Sequence, residues 1–339
     1  MTATQSQPDL RAAPLLDVRG LTVGFPTLRG VSRVVSDVSF QIADGEILGL
    51  VGESGSGKSV TCRALLGLVP APGAVLAGEV LLADRDLLQL DARELRDARG
   101  AQVAMVFQDA MSSLNPVLTV GRQLTETLVH RKGMSRVAAR ERAVSLLEQV
   151  GIPAPARRLK AYSYELSGGM RQRVMIALAL AGEPRLLLAD EPTTALDVTI
   201  QDQILFLLRE IRDQTGMAIV LVSHDMGVIA QTCDRVAVMY AGRLVEVAPV
   251  HELFARPQHP YTRALLEAIP RIGESRLRGE LHAIPGQPPD VADLIRGCPF
   301  EARCGFARDG CAEVSMELQP AAPDHLTACP FVAAGADGR

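Results

Sequence analysis

The stretch Gly52-Glu53-Ser54-Gly55-Ser56-Gly57-Lys58-Ser59 constrains this chain more than any other. The apolar run Ile47 to Val51 before it is short enough for a buried parallel strand, and Val60 to Leu68 after it reads as a helix. Strand, glycine loop and helix is the context in which this spacing holds phosphate. Gly52, Gly55 and Gly57 let successive amide N–H groups turn toward one anion. The helix start adds roughly half a positive charge at the same place. Lys58 reaches the terminal phosphates and the Ser59 hydroxyl suits magnesium, so a nucleoside triphosphate with Mg²⁺ is implied. The bland alternative is a glycine turn with an incidental lysine, and the strand and helix on either side count against it.

At 339 residues the chain has room for one large domain with an appendage, or for two domains. Its 35 basic and 39 acidic residues leave a net charge of -4, which gives no global attraction to nucleic acid. The longest apolar runs, Val174 to Ala181 and Met217 to Val222, fall well short of the roughly 18 residues a membrane-spanning helix needs. Met1 to Pro14 shows no basic segment followed by an apolar core and reads as a disordered tail. The expected setting is cytosolic and reducing, so the six cysteines read as free thiols or metal ligands.

Leu15 to Phe25 and Val34 to Ile42 alternate in polarity and predict two early strands, with the loop Pro26 to Arg33 between them. Further strands are expected at Val103 to Phe107, Leu186 to Ala189, Ala218 to Val222 and Val236 to Tyr240. Helical spacing at Val120 to Val129, at Arg136 to Val150 and at Ile200 to Gln214 places a helical insert at about 109–164 and a helix between two of the strands. Strands alternating with helices argue for an α/β fold on a largely parallel sheet. Beyond Val250 the texture changes. Ten of the 21 prolines fall between Pro257 and Pro330, which excludes long regular elements apart from a helix at Tyr261 to Ile269.

Leu186 to Ala189 ends in Asp190 and Glu191, which puts two carboxylates at the C-terminal edge of the sheet, where open α/β folds bind ligands. Asp190 suits magnesium and Glu191 suits orienting or deprotonating a water. The pair also suits a helix cap before Pro192. Gln108 and His224 follow strands as well; the first suits a magnesium or water contact, the second a donor to the γ-phosphate, and either reads equally as a polar residue at a strand exit. Ser167-Gly168-Gly169 opens the helical run Val174 to Ala181 and forms a second anion site, or merely a cap.

In order and spacing, Gly52 to Ser59, Gln108, Leu166 to Arg173, Leu186 to Glu191, Ala195-Leu196-Asp197 and His224 resemble the motif set of an ABC transporter ATPase across about 15–250. The resemblance implies a P-loop NTPase fold with early antiparallel strands and a helical subdomain. It also implies ATP bound by Gly52 to Ser59 and Val60, with Phe25 stacked on adenine or else serving as a core aromatic. Magnesium would be held by Ser59, Gln108 and Asp190, and catalysis would involve Glu191, His224 and Gln108. It further implies that Ser167, Gly168 and Gly169 act in trans on ATP held by a second ATPase, with Asp197 at the dimer seam. Phe107 to Pro116, Asp190 to Thr199 and His259-Pro260-Tyr261-Thr262-Arg263 resemble the dipeptide and oligopeptide importers, a group that includes nickel importers. Ala110 stands where such ATPases usually have proline, and Ser163-Tyr164 where Pro-His is common.

Cys298, Cys304, Cys311 and Cys329 have gaps of five, six and seventeen residues, unlike the close pairs of common zinc or ferredoxin sites. Four thiols in a short proline-rich tail nevertheless favour a metal, because such a segment lacks a core and needs a staple. Ile284-Pro285-Gly286 and Gly297-Cys298-Pro299-Phe300 resemble the C-terminal region of the peptide importers, which implies a four-iron four-sulfur cluster, with zinc as runner-up. The tail is expected to be structural, lying outside the ATP motifs. Cys62 and Cys233 read as buried thiols, and His325 as a surface-loop residue more than a ligand.

The resulting expectation is a peripheral ATPase on the cytoplasmic face of the cell membrane that powers uptake of di- or oligopeptides or similar solutes. Its partners would be a second ATPase, giving a heterodimer, two transmembrane permease subunits and an extracytoplasmic solute-binding protein. The rivals are a soluble ABC ATPase acting on DNA or ribosomes, and a regulatory nucleotide-binding protein without turnover. The mild negative charge, the single motif set and the absence of a coiled-coil insertion count against the first, and Glu191 with His224 against the second.

Overall fold

The computed structural model describes residues 13–28, 30–109, 113–194, 196–269, 284–289 and 296–331. The expected N-terminal tail lies almost wholly outside these residues, as do Ala110 and Ala195. In chain order the strands are β1 (Leu16–Thr27), β2 (Gly30–Ile42), β3 (Ile47–Val51), β4 (Ala74–Leu82), β5 (Arg85–Asp86), β6 (Val103–Val106), β7 (Leu186–Asp190), β8 (Ala218–Ser223), β9 (Arg235–Tyr240), β10 (Arg243–Pro249), β11 (Gln319–Ala322) and β12 (His325–Thr327). The α-helices are α1 (Lys58–Leu65), α2 (Ala92–Ala101), α3 (Val120–Lys132), α4 (Arg136–Gln149), α5 (Pro155–Arg158), α6 (Gly168–Leu180), α7 (Val198–Thr215), α8 (Met226–Thr232), α9 (Val250–Ala255) and α10 (Pro260–Glu267). Among the described residues no helix is long and apolar enough to cross a membrane. The chain divides into two compact units.

One unit comprises chiefly Ile42–Ile47 and Gln89–Val222. Its strands run β6–β7–β8, all parallel, with Val103 opposite Leu186 and Leu186 opposite Ala218. All five residues of β7 and all six of β8 are buried, as expected of strands covered on both faces. The expected helical insert is present as α3, α4 and the short α5. Thr119 caps α3 and Ser135 caps α4 through their hydroxyls, and Gly133 ends α3 in the left-handed conformation. Leu124, Leu128, Ala143, Leu146 and Leu147 of these helices are buried, and both helices pack on α6. Two elements unread in the sequence are α2, opened by an Asp91–Glu94 capping box, and its kinked end at Arg99–Gly100.

The other unit comprises Leu16–Gln41, Leu48–Leu88 and the described residues from Ser223 onward. Its early strands form an antiparallel layer in the order β2–β1–β4–β5, of which the sequence had shown only β1 and β2. β3 lies parallel to β9, with Val51 opposite Val238, and β9 continues through β10, β12 and β11 with antiparallel pairing. The proline-rich tail therefore adds two strands to an existing sheet. It also has an apolar anchor: Phe300, 2% exposed, meets the rings of Tyr240 and Tyr261 edge-on at 5.3 Å, and those two tyrosines lie 4.5 Å apart. His325 is not a surface-loop residue. The pairing of β12 with β10 carries it inside, 2% exposed, where Nε2 lies 2.7 Å from the Glu246 carboxylate.

Candidate functional site

In the unit that contains the glycine loop, the turn leaves the fully buried β3 and enters α1. Gly52, Gly55 and Gly57 have φ of +152°, +80° and +103°. At Gly52 a Cβ would stand 2.1 Å from the Met239 carbonyl oxygen, and at Gly57 it would stand 2.8 Å from that of Val34, so side chains are excluded on two counts. Gly57 caps α1 with no side-chain bond, which leaves the first amides of the helix turned to the loop. Lys58, buried, donates from Nζ to the carbonyls of Gly52 at 2.8 Å and Glu53 at 2.9 Å. Ser59 and Val60 follow in the first turn. Phe25, half-buried at the end of β1, lies against Gly73, whose missing Cβ makes room for the ring. His224 is exposed just beyond β8, in a turn fixed by the bond from Asp225 N–H to the Ser223 hydroxyl at 2.9 Å.

Glu53 of this loop is held at both its backbone and its side chain. Its N–H donates to the Tyr261 hydroxyl at 2.9 Å, and its carboxylate accepts two bonds from Arg303, at 2.7 and 3.0 Å. Arg303, 5% exposed at the side chain, is held charged above its usual range, chiefly by that hydrogen-bonded carboxylate. Burial raises the Tyr261 hydroxyl likewise. Neither Arg303 nor Tyr261 carried a role in the sequence; the only trace was the His259-Pro260-Tyr261-Thr262-Arg263 run. The tail thus reaches the loop through Arg303, while its four cysteines lie outside the ATP motifs.

In the parallel-sheet unit, Asp190 is fully buried at the end of β7, and Glu191 follows with φ of +47°, a left-handed conformation that costs a non-glycine residue about 1–2 kcal/mol. Its N–H donates to the Val222 carbonyl at 3.2 Å, while Oε2 accepts from Gln108 Nε2 and from the Thr194 hydroxyl, each at 2.9 Å. Gln108 and Glu191, 83 residues apart, are thus brought together as two strand ends. Ser167 caps α6, its hydroxyl accepting from Met170 N–H at 3.4 Å, and Asp197 caps α7, accepting from Ile200 N–H at 3.0 Å. These two helix starts adjoin: a Cβ on Gly169 would stand 2.7 Å from Ile200 Cγ2. Ser167, Gly168 and Asp197 are exposed.

Cys298, Cys304, Cys311 and Cys329 all line one cavity, together with Phe300, Phe306 and Phe331. Burial pushes the Cys298 thiol up to about 11, with the other three sulfurs adding repulsion, and burial raises Cys304 also. The Phe306 N–H donates to Cys304 Sγ at 3.4 Å. Among the described residues, however, no group of three or more His, Cys, Asp or Glu side chains is placed to hold a metal ion, so the expected ligand set is gathered without being closed. Cys62 and Cys233 are buried elsewhere, as expected.

Residues 35–194 match the ABC transporter family, and residues 245–311 match the oligopeptide/dipeptide transporter C-terminal region. The probable peptide ABC transporter ATP-binding protein y4tR of Sinorhizobium fredii is 50% identical over 326 residues, covering 96% of each chain. This chain belongs to the peptide branch of the ABC transporter ATP-binding family. The dipeptide transport ATP-binding protein DppD of Bacillus subtilis, another member, is 51% identical over 292 residues, or 86% of each chain. Among solved structures, the ATP-binding cassette MJ0796, in a dimeric post-hydrolysis state bound to ADP and Pi, matches with a TM-score of 0.63 at 29% identity, over 69% of this chain and 98% of that one. The family's P-loop ATPase fold accounts for the parallel β6–β7–β8 strands and the antiparallel early layer.

Proposed function

We propose that this chain is the ATP-hydrolysing subunit of an importer that takes up di- or oligopeptides or similar small solutes. The observation that carries the reading is the Gly52–Ser59 turn: buried strand, left-handed glycines, a lysine folded over the loop, and an uncapped helix start. In this reading the amides of Gly52 to Val60 and the Lys58 ammonium bind the phosphates, and Phe25 stacks on adenine. Ser59, Gln108 and Asp190 offer the oxygen donors that suit Mg²⁺, which when bound neutralises phosphate charge. Glu191 orients and accepts a proton from the attacking water, its carboxylate steered by the bonds from Gln108 and Thr194. His224 donates to the γ-phosphate.

The exposed helix starts at Ser167 and Asp197 support a head-to-tail partnership in which Ser167, Gly168 and Gly169 complete the site of a second, different ATPase. Two permease subunits and an extracytoplasmic solute-binding protein complete the importer, with this chain peripheral at the cytoplasmic face. The similarity to named peptide transporters supports that assignment over a role on nucleic acid. Four sulfur donors around one cavity suit an iron–sulfur cluster better than any oxygen-seeking ion, and a four-iron cluster held by Cys298, Cys304, Cys311 and Cys329 is the metal reading, with zinc second. Such a group would cross-link the extension. The binding of MgATP tests the cradle directly: Lys58→Ala is expected to weaken it strongly, and unchanged affinity overturns the assignment.

A further inference from the structure

Glu53 is gripped by the C-terminal region on both its backbone and its side chain. Tyr261 takes its N–H, and Arg303 takes its carboxylate as a two-pronged fork, Nη1 to Oε2 at 2.7 Å and Nη2 to Oε1 at 3.0 Å. The Glu53 carbonyl meanwhile accepts from Lys58 and, at 3.2 Å, from Ser56 N–H. Arg303 itself has every donor engaged: Nε to the Pro285 carbonyl at 2.8 Å, Nη1 also to the Tyr240 hydroxyl at 3.1 Å, and Nη2 also to the Ile284 carbonyl at 3.5 Å. Its guanidinium lies 5.8 and 5.9 Å from the ring centres of Tyr240 and Phe300. A fork bound on all sides cannot shift without shifting what it holds. The next residue, Cys304, and the nearby Cys298 line the four-cysteine cavity.

A mere staple for the extension could bond to any strand. This one ends on the phosphate loop, beside Lys58, whose ammonium must leave the Gly52 and Glu53 carbonyls if it is to reach a phosphate. At that moment the loop keeps its shape only through its remaining anchors, and Arg303 and Tyr261 supply two of them. Building on the ATPase reading, we infer that Arg303 is a positioning residue through which the four-cysteine extension sets the affinity of the phosphate loop for nucleotide. The coupling is reciprocal: nucleotide at the loop alters the accessibility of the cysteines by the same free energy.

The test uses the full-length chain, with binding of MgATP and, after removal of any metal bound by the four cysteines, the rate of iodoacetamide labelling of Cys304 as readouts. Arg303→Ala is expected to weaken MgATP binding about 10-fold, within the usual range of site-to-site coupling. In the assembled transporter the loss should fall on KM, with kcat at saturating ATP retained. Arg303→Lys keeps the charge without the fork and should restore only part of the affinity. Tyr261→Phe leaves the ring in the aromatic cluster and removes one bond to the loop, so a loss of about 3-fold is expected even if Arg303→Ala fails to fold. MgATP should change Cys304 labelling in the wild type and lose that effect in Arg303→Ala. Wild-type affinity in Arg303→Ala or in Tyr261→Phe, or Cys304 labelling indifferent to MgATP in a wild type that binds it, overturns the inference. A wild type that fails to bind MgATP overturns the ATPase reading instead, and the inference with it.

Discussion

Replacing Gly52 with alanine tests the geometry of the phosphate loop against a control only three residues away. The new Cβ would stand 2.1 Å from the Met239 carbonyl oxygen, more than 1 Å inside ordinary contact, with the backbone at φ of +152°. Met239 cannot yield cheaply, because it lies in β9, paired with β10 at Leu244 and flanked by the Val51–Val238 pairing to β3. Overpacking of about 1–3 kcal/mol and backbone strain of similar size give a total cost of about 2–6 kcal/mol. At Gly55, φ is +80° and nothing lies within 4 Å of the position a Cβ would take. Only the left-handed penalty applies there, about 1–2 kcal/mol. With a thermal shift of about 2–4 °C per kcal/mol for domains of 150–250 residues, Gly55→Ala should lower the unfolding midpoint by no more than about 8 °C. At the middle of each range Gly52→Ala should lower it by about two to three times as much as Gly55→Ala, and it should abolish MgATP binding. Differential scanning calorimetry on the two variants decides the matter: equal shifts would show that the close approach of strand and loop is not what requires glycine at Gly52.

Ser167→Arg should leave ATP binding at this chain's own loop intact while impairing hydrolysis at the partner's, measured in a complex with only one subunit altered; loss of binding at its own loop would refute the trans arrangement. Anaerobically purified protein should carry about four irons and four labile sulfides per chain; zinc in stoichiometric amount without iron decides for the runner-up.

The parts of the fold legible in the sequence are those written in local chemistry. β3 and β7 are short apolar runs bounded by a glycine loop and by carboxylates, and α3, α4 and α7 carry helical spacing between capping residues. The site motifs were legible for the same reason, each being a strand exit or a helix start. β4 escaped because most of its residues are at least partly exposed and Gly78 interrupts its alternation. The Arg303–Glu53 pair escaped because its members are 250 residues apart and neither belongs to a periodic run. His325 was misjudged for a related reason: only the pairing of β12 with β10 places it against Glu246, and no pattern within three residues announces that pairing.

Hydrolysis by a Glu191→Gln variant in the assembled transporter bears most directly on the account. The substitution keeps the shape of a side chain already bonded to Gln108 and Thr194, and removes its negative charge and its capacity to take a proton. MgATP affinity should be retained while steady-state turnover falls by about 10²-fold or more, the range of a lost general base. Turnover close to that of the wild type, with binding intact, would contradict the role given to Glu191.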